Sequence, residues 1–123
     1  MEISVVDFEK VALGAIENLP PNFLARINNL AFFIEDYPTR EQIKKVRVGN
    51  NFTLLGLYEG YRQSARTNLG PVLPDRITIF RKNILNECAN EKEIKEKITK
   101  IIKHEIAHHF GSDERGARKA EVG

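Results

Sequence analysis

The chain has one cysteine, one methionine, at its first position, and no tryptophan in 123 residues. A lone thiol, Cys88, closes no intramolecular disulfide, and no other residues have the pattern of a Cys-rich metal knuckle. A disulfide-stapled scaffold is therefore excluded, and a reducing, cytoplasmic compartment is expected. Cys88 itself reads as a small buried hydrophobe. Charge of one sign is also lacking: 19 Lys plus Arg stand against 17 Asp plus Glu, for a net charge of +2. The basic residues are scattered, so neither nucleic acid nor an anionic membrane is expected as the main partner. No apolar run approaches the roughly 18 residues of a membrane span. The opening Met1-Glu2-Ile3-Ser4-Val5 sets no cationic stretch before a short apolar segment, so secretion and membrane insertion are not expected. Repeats, low-complexity segments and Gly- or Pro-rich linkers are missing, which implies one domain over residues 1–123.

What is present is a composition of 41% hydrophobic and 29% charged residues, that of a chain able to bury a core. Asp7, read as an N-cap, precedes Phe8, Val11, Ala12, Ala15, Ile16 and Leu19 at helical spacing, and Pro20-Pro21 stops the run. Leu30-Ala31-Phe32-Phe33-Ile34 is short and aromatic-rich, which suits a strand buried on both faces. Thr39 with Gln42 has the form of a capping box and opens a short polar segment reaching about Arg47. Leu54-Leu55-Gly56-Leu57-Tyr58-Glu59-Gly60-Tyr61 reads as an edge strand, its glycines permitting close approach of another element. Arg76-Ile77-Thr78-Ile79-Phe80-Arg81 alternates with period two, predicting a half-buried strand with Ile77 and Ile79 against a helix. Asn90 and Glu93 open the last helix, from Glu91 to Phe110, with Gly111 as its stop. Its apolar face is Ile94, Ile98, Ile101, Ile102 and Ile106, and its lysines lie mostly to the sides and back.

All three histidines fall on the last two turns of that helix, in His104-Glu105-Ile106-Ala107-His108-His109-Phe110-Gly111. This is an HExxH pattern, expected by chance in well under about 1% of chains this long. Histidines four apart project about 40° from one another, so two imidazoles can converge on one Zn²⁺ while the adjacent Glu105 serves as general base toward a metal-bound water. The helical phase puts His104, Glu105 and His108 at a border of the isoleucine face, a half-sheltered position. His109 turns toward the isoleucines and reads as a partly buried histidine, not a ligand. Catalytic zinc usually has three protein ligands and a water. Glu114, three residues past Gly111, is the first candidate for the third ligand, and Asp113 the second.

These segments resemble the minimal zincins, metzincin-like metallopeptidase-type proteins of small bacterial chains whose function is uncharacterised. The resemblance rests on the helix ending in Leu19-Pro20, on Glu35-Asp36-Tyr37-Pro38, on the segment from Leu54 through Gly60, on Leu73-Pro74-Asp75-Arg76-Ile77-Thr78-Ile79-Phe80, and on the HExxH run. It implies an α+β fold, zincin-like, with a small mixed sheet packed on an N-terminal helix and an HExxH helix. It also implies zinc as cofactor, His104 and His108 as ligands, and Glu105 as general base. At the position of the third metzincin histidine stands Glu114. No methionine follows the motif, so a Met-turn is absent, and Arg62 stands where the family often has proline. An extended peptide or protein substrate is expected to pair with an edge strand, either segment 55–61 or segment 76–81. Tyr61 and Arg66 are candidate oxyanion partners, although a packed tyrosine and a solvated arginine are the plainer readings.

Two other functions compete with peptide hydrolysis. A metal-binding or protein-interaction module without turnover suits the small size and the missing Met-turn. Metal-dependent RNA hydrolysis, which some small bacterial proteins perform with three histidines on a related motif, fits less well because the motif here carries Glu105 and ends in Glu114.

Overall fold

The computed structural model describes residues 2–27, 30–46, 53–60 and 74–110. Helix α1 (Val5–Glu17) begins earlier than Asp7 suggests. Ser4 is the N-cap, its hydroxyl accepting the Asp7 N–H at 3.1 Å, and Asp7 is instead a first-turn carboxylate that complements the positive helix end. Phe8, Ala12 and Ala15 form its buried stripe, and Leu19, past the helix end, is also buried. Pro20-Pro21 does more than stop α1. Pro21 starts a short helix α2 (Pro21–Leu24), where proline's missing N–H costs nothing because first-turn donors have no intrahelical partner.

Strands β1 (Leu30–Glu35), β2 (Gly56–Glu59) and β3 (Asp75–Phe80) form a mixed sheet in the order β1-β3-β2, with β1 parallel and β2 antiparallel to β3. The central strand is more buried than its alternation predicts, because both of its faces are covered. Ile77 and Ile79 join the main core with side chains of α1 and of the last helix, while Phe80 packs on the opposite side with Leu54, Leu57 and Val46. Being central, β3 offers no open edge to an extended peptide, so segment 76–81 is not a docking strand. The expectation for β1 also changes. It is a half-buried edge strand, and its Phe33 is 42% exposed, with the Arg76 guanidinium stacked 4.1 Å from the ring centroid. An apolar run alone does not reveal how many sides of a strand will be covered.

The capping box predicted for helix α3 (Arg40–Val46) forms in both directions: Gln42 N–H donates to Thr39 Oγ1 at 3.1 Å, and Thr39 N–H donates to Gln42 Oε1 at 2.8 Å. After β3 the chain turns at once into helix α4 (Arg81–Leu85), which the sequence reading missed. Arg81 is the pivot, with Nε donating to Asp36 Oδ1 at 2.9 Å and Nη1 to the Ile3 carbonyl at 3.2 Å. Helix α5 (Glu91–Phe110) opens as expected, Asn90 Oδ1 accepting the Glu93 N–H at 2.9 Å. Glu93 returns the bond to the Ala89 N–H, one residue before Asn90, at 2.8 Å. The five predicted isoleucines of α5 are all fully buried, and Cys88 is buried beside them. Burial pushes the Cys88 thiol pKa up, the Lys97 charge opposing in part and the Glu93 and Glu87 charges adding to the rise. Gly111 lies outside the described residues.

Candidate functional site

Helix α5 runs along β2, and a glycine permits the close approach. At Gly56 a Cβ would fall inside the van der Waals envelope of Ile101 Cγ2, so only glycine lets the helix lie this near the strand. One turn further along α5 comes Glu105, and two residues further along β2 comes Tyr58. These advances are similar, about 6.0 Å for four helical residues and about 6.8 Å for two strand residues, so the glutamate arrives beside the tyrosine backbone. The Tyr58 N–H donates to Glu105 Oε1 at 3.0 Å, and Glu105 is only 3% exposed.

The β2–β3 register tells which way that N–H points. The Phe80 N–H donates to the Leu55 carbonyl at 3.0 Å, so Leu55 and Phe80 are a hydrogen-bonded pair in line with the Leu57–Thr78 and Glu59–Arg76 pairs. In an antiparallel ladder bonding alternates from residue to residue, which turns the N–H of Gly56 and Tyr58 away from β3, toward the outer edge of the sheet. Glu105 therefore meets β2 at that outer edge. The Tyr58 phenol is fixed as well, donating to Asp75 Oδ2 at 2.7 Å across the sheet.

His104 and His108 lie on the same stretch of α5, both half-buried, as their position at the border of the isoleucine face predicts. Their ring centroids are 6.3 Å apart and the planes are tilted by 31°. The His108 Nδ1 is buried with no hydrogen-bond partner. Leaving a buried nitrogen unpaired costs about 1–3 kcal/mol, which a ligand at that atom would offset. Two imidazoles sharing one tetrahedral ion with bonds of about 2.1 Å have centroids about 5 Å apart, so small side-chain rotations would bring these rings to a shared metal. The two imidazoles and the orphaned nitrogen thus fit a metal such as zinc.

Among the described residues no group of three His, Cys, Asp or Glu side chains is placed to hold a metal. The candidates for the third ligand, Glu114 and Asp113, lie outside the described residues, as do the side chain of His109 and the residues Tyr61, Arg62 and Arg66. The structure therefore brings together His104, Glu105 and His108. It adds two residues that the sequence reading did not single out, Tyr58 and Asp75. Tyr58 lies 47 positions from Glu105, and its contribution is a backbone N–H, for which a side-chain pattern gives no signal.

A small mixed sheet with an HExxH helix packed along its antiparallel edge strand, and a leading helix against that same helix, defines an α+β fold of the zincin-like class. The chain belongs to the family of zincin-like metallopeptidases, whose model matches residues 27–122. That match begins after α1 and α2, whereas the likeness to a solved structure spans more of the chain. A conserved hypothetical protein from Thermo thermophilus is similar to it with a TM-score of 0.60 and 17% identity, over 89% of this chain and 95% of that one. At that identity the likeness speaks to the fold. No curated protein matches the chain. Among the described residues no helix is long and apolar enough to cross a membrane.

Proposed function

We propose that this protein is a zinc-dependent peptidase, with the metal held by His104 and His108 and by a carboxylate from Glu114 or, second, Asp113. The observation that carries the reading is the unpartnered, buried Nδ1 of His108 one helical turn from His104, with buried Glu105 between them. Zinc bound there would polarise a substrate carbonyl and lower the pKa of a water. Glu105 is the group that takes the proton from the attacking water and passes it to the departing amine. The Tyr58 N–H holds its carboxylate at the rim of the sheet, and a carboxylate has about four acceptor positions, so the bond to Tyr58 is compatible with proton transfer. The half-burial of His104 and His108 suits a site that shields the imidazoles yet admits a peptide.

The same Tyr58 bond favours a second reading, in which Glu105 is a clamp between helix and sheet in a metal-binding module without turnover. The experiment begins with elemental analysis and zinc titration of the full chain and of the His104→Ala and Glu114→Ala variants near neutral pH. Near-stoichiometric zinc that is lost with His104→Ala and weakened with Glu114→Ala supports the three-ligand site. Absence of zinc binding in the wild type sinks it. Casein and a mixed peptide library then separate the two readings: cleavage by the zinc-loaded protein that Glu105→Gln abolishes supports the peptidase, and zinc binding without any cleavage supports the module.

A further inference from the structure

Among the described residues no strand pairs with the outer edge of β2, which lies beside the HExxH helix, and this is the place where an extended peptide would add as a further strand. Such a strand would take the outward N–H groups of β2, those of Gly56 and Tyr58. The second is already in use, because Tyr58 N–H donates to Glu105 Oε1 at 3.0 Å. A single backbone N–H cannot make a full hydrogen bond to a carboxylate in the strand plane and to a peptide carbonyl at once.

We propose that Glu105 latches the edge of β2, so that an extended peptide pairing across Tyr58 must displace the carboxylate from the Tyr58 N–H. This rests on reading the HExxH site as a peptidase site, and it adds a coupling between substrate docking and the general base. With no peptide on the edge, Glu105 is parked on the strand. A peptide carbonyl that takes over the Tyr58 N–H frees Glu105 Oε1 from the strand beside the bound chain, where its proton-transfer role begins. The latch has a firm frame. Ile101 on Gly56 fixes the helix against the strand, and the Tyr58 phenol on Asp75 fixes the strand position itself. The same contact guards the edge when no substrate is present, since an occupied N–H is unavailable to the strands of other chains.

The test uses the zinc-free 123-residue chain, so it reads neither metal binding nor turnover, and its failure is distinguishable from failure of the peptidase reading. Amide hydrogen exchange followed by NMR should show the Tyr58 N–H protected in the wild type even though it faces the outer edge, while the Gly60 N–H exchanges at least tenfold faster. Glu105→Gln keeps an oxygen acceptor and should retain most of the protection. Glu105→Ala should raise Tyr58 exchange at least tenfold, with the ladder amides of Leu57 and Thr78 unchanged. The binding arm uses an acetylated, amidated hexapeptide of alternating valine and threonine as a strand probe. It should bind Glu105→Ala about tenfold more tightly than wild type, with the Tyr58 amide resonance shifted on binding. Rapid Tyr58 exchange in the wild type overturns the latch without recourse to any variant. Equal affinity of wild type and Glu105→Ala for the probe, or no binding to either at millimolar concentration, overturns the competition.

Discussion

Replacing Gly56 by alanine tests the packing that places the site. The added Cβ would meet Ile101 Cγ2, which belongs to a fully buried, β-branched side chain and has little freedom to swing aside. Forcing a methyl into such a core costs about 1–3 kcal/mol. Against this, alanine in place of a strand glycine gains about 0.5–1 kcal/mol from the smaller entropy of the unfolded chain. The clash wins, and Gly56→Ala should lose about 1–2 kcal/mol of stability, equivalent to a fall in Tm of about 4–8 °C for a chain of this length. The cause can be isolated with Ile101→Leu, which moves the branch away from Cβ and by itself costs less than about 1.5 kcal/mol. In urea or thermal unfolding, Gly56→Ala combined with Ile101→Leu should be less destabilised than the sum of the singles by about 0.5 kcal/mol or more. Glu105 sits one turn beyond Ile101, so a helix pushed off the strand should also weaken the Tyr58–Glu105 bond, visible as faster exchange of the Tyr58 amide. A Gly56→Ala protein as stable as wild type, or strict additivity in the cycle, would refute the close-approach argument.

Asp36→Ala should destabilise the fold by about 1–3 kcal/mol in urea unfolding, because it removes the partner of Arg81, a residue only 7% exposed whose guanidinium cannot readily recover its hydration. A loss below a few tenths would show that water replaces the carboxylate. Thr39→Ala opens the reciprocal cap of α3 and should cost about 1 kcal/mol in the same assay, with the α3 amides exchanging faster than those of α5. Cys88 should react slowly with a disulfide reagent in the native protein and fast once unfolded. Its thiol pKa is raised by burial, so above about pH 8.5 the unfolded chain ionises while the native one holds its proton. That contribution to stability is present below the unfolded pKa and is lost as pH rises through the raised folded value. Replacing Cys88 by alanine should flatten the fall in stability on the alkaline side, as measured by urea midpoints from pH 7 to 10.

The sequence by itself determined the elements whose signals are local. The HExxH run, the isoleucine stripe of α5 and the Asn90 and Thr39 caps are all written within a few residues, and helical geometry turns that spacing into a shared face. Local signals also place His104, Glu105 and His108 together, because one helix carries all three. Where two local signals compete, only the folded chain chooses. Ser4 outranks Asp7 as cap because its hydroxyl reaches the Asp7 N–H, and α4 follows β3 directly because Arg81 finds Asp36, 45 positions away. Strand burial was likewise beyond the sequence. The period of two in 76–81 marks alternating faces, but which faces are covered depends on α5 on one side and on Leu54, Leu57 and Val46 on the other. For the same reason the aromatic run of β1 reads as interior, yet the strand lies at an edge. What tertiary structure alone decided about the site is the meeting of Glu105 with the outward N–H of Tyr58. That bond depends on the register of β2 on β3 and on how closely Gly56 lets α5 lie, and neither leaves a mark in the sequence around the motif.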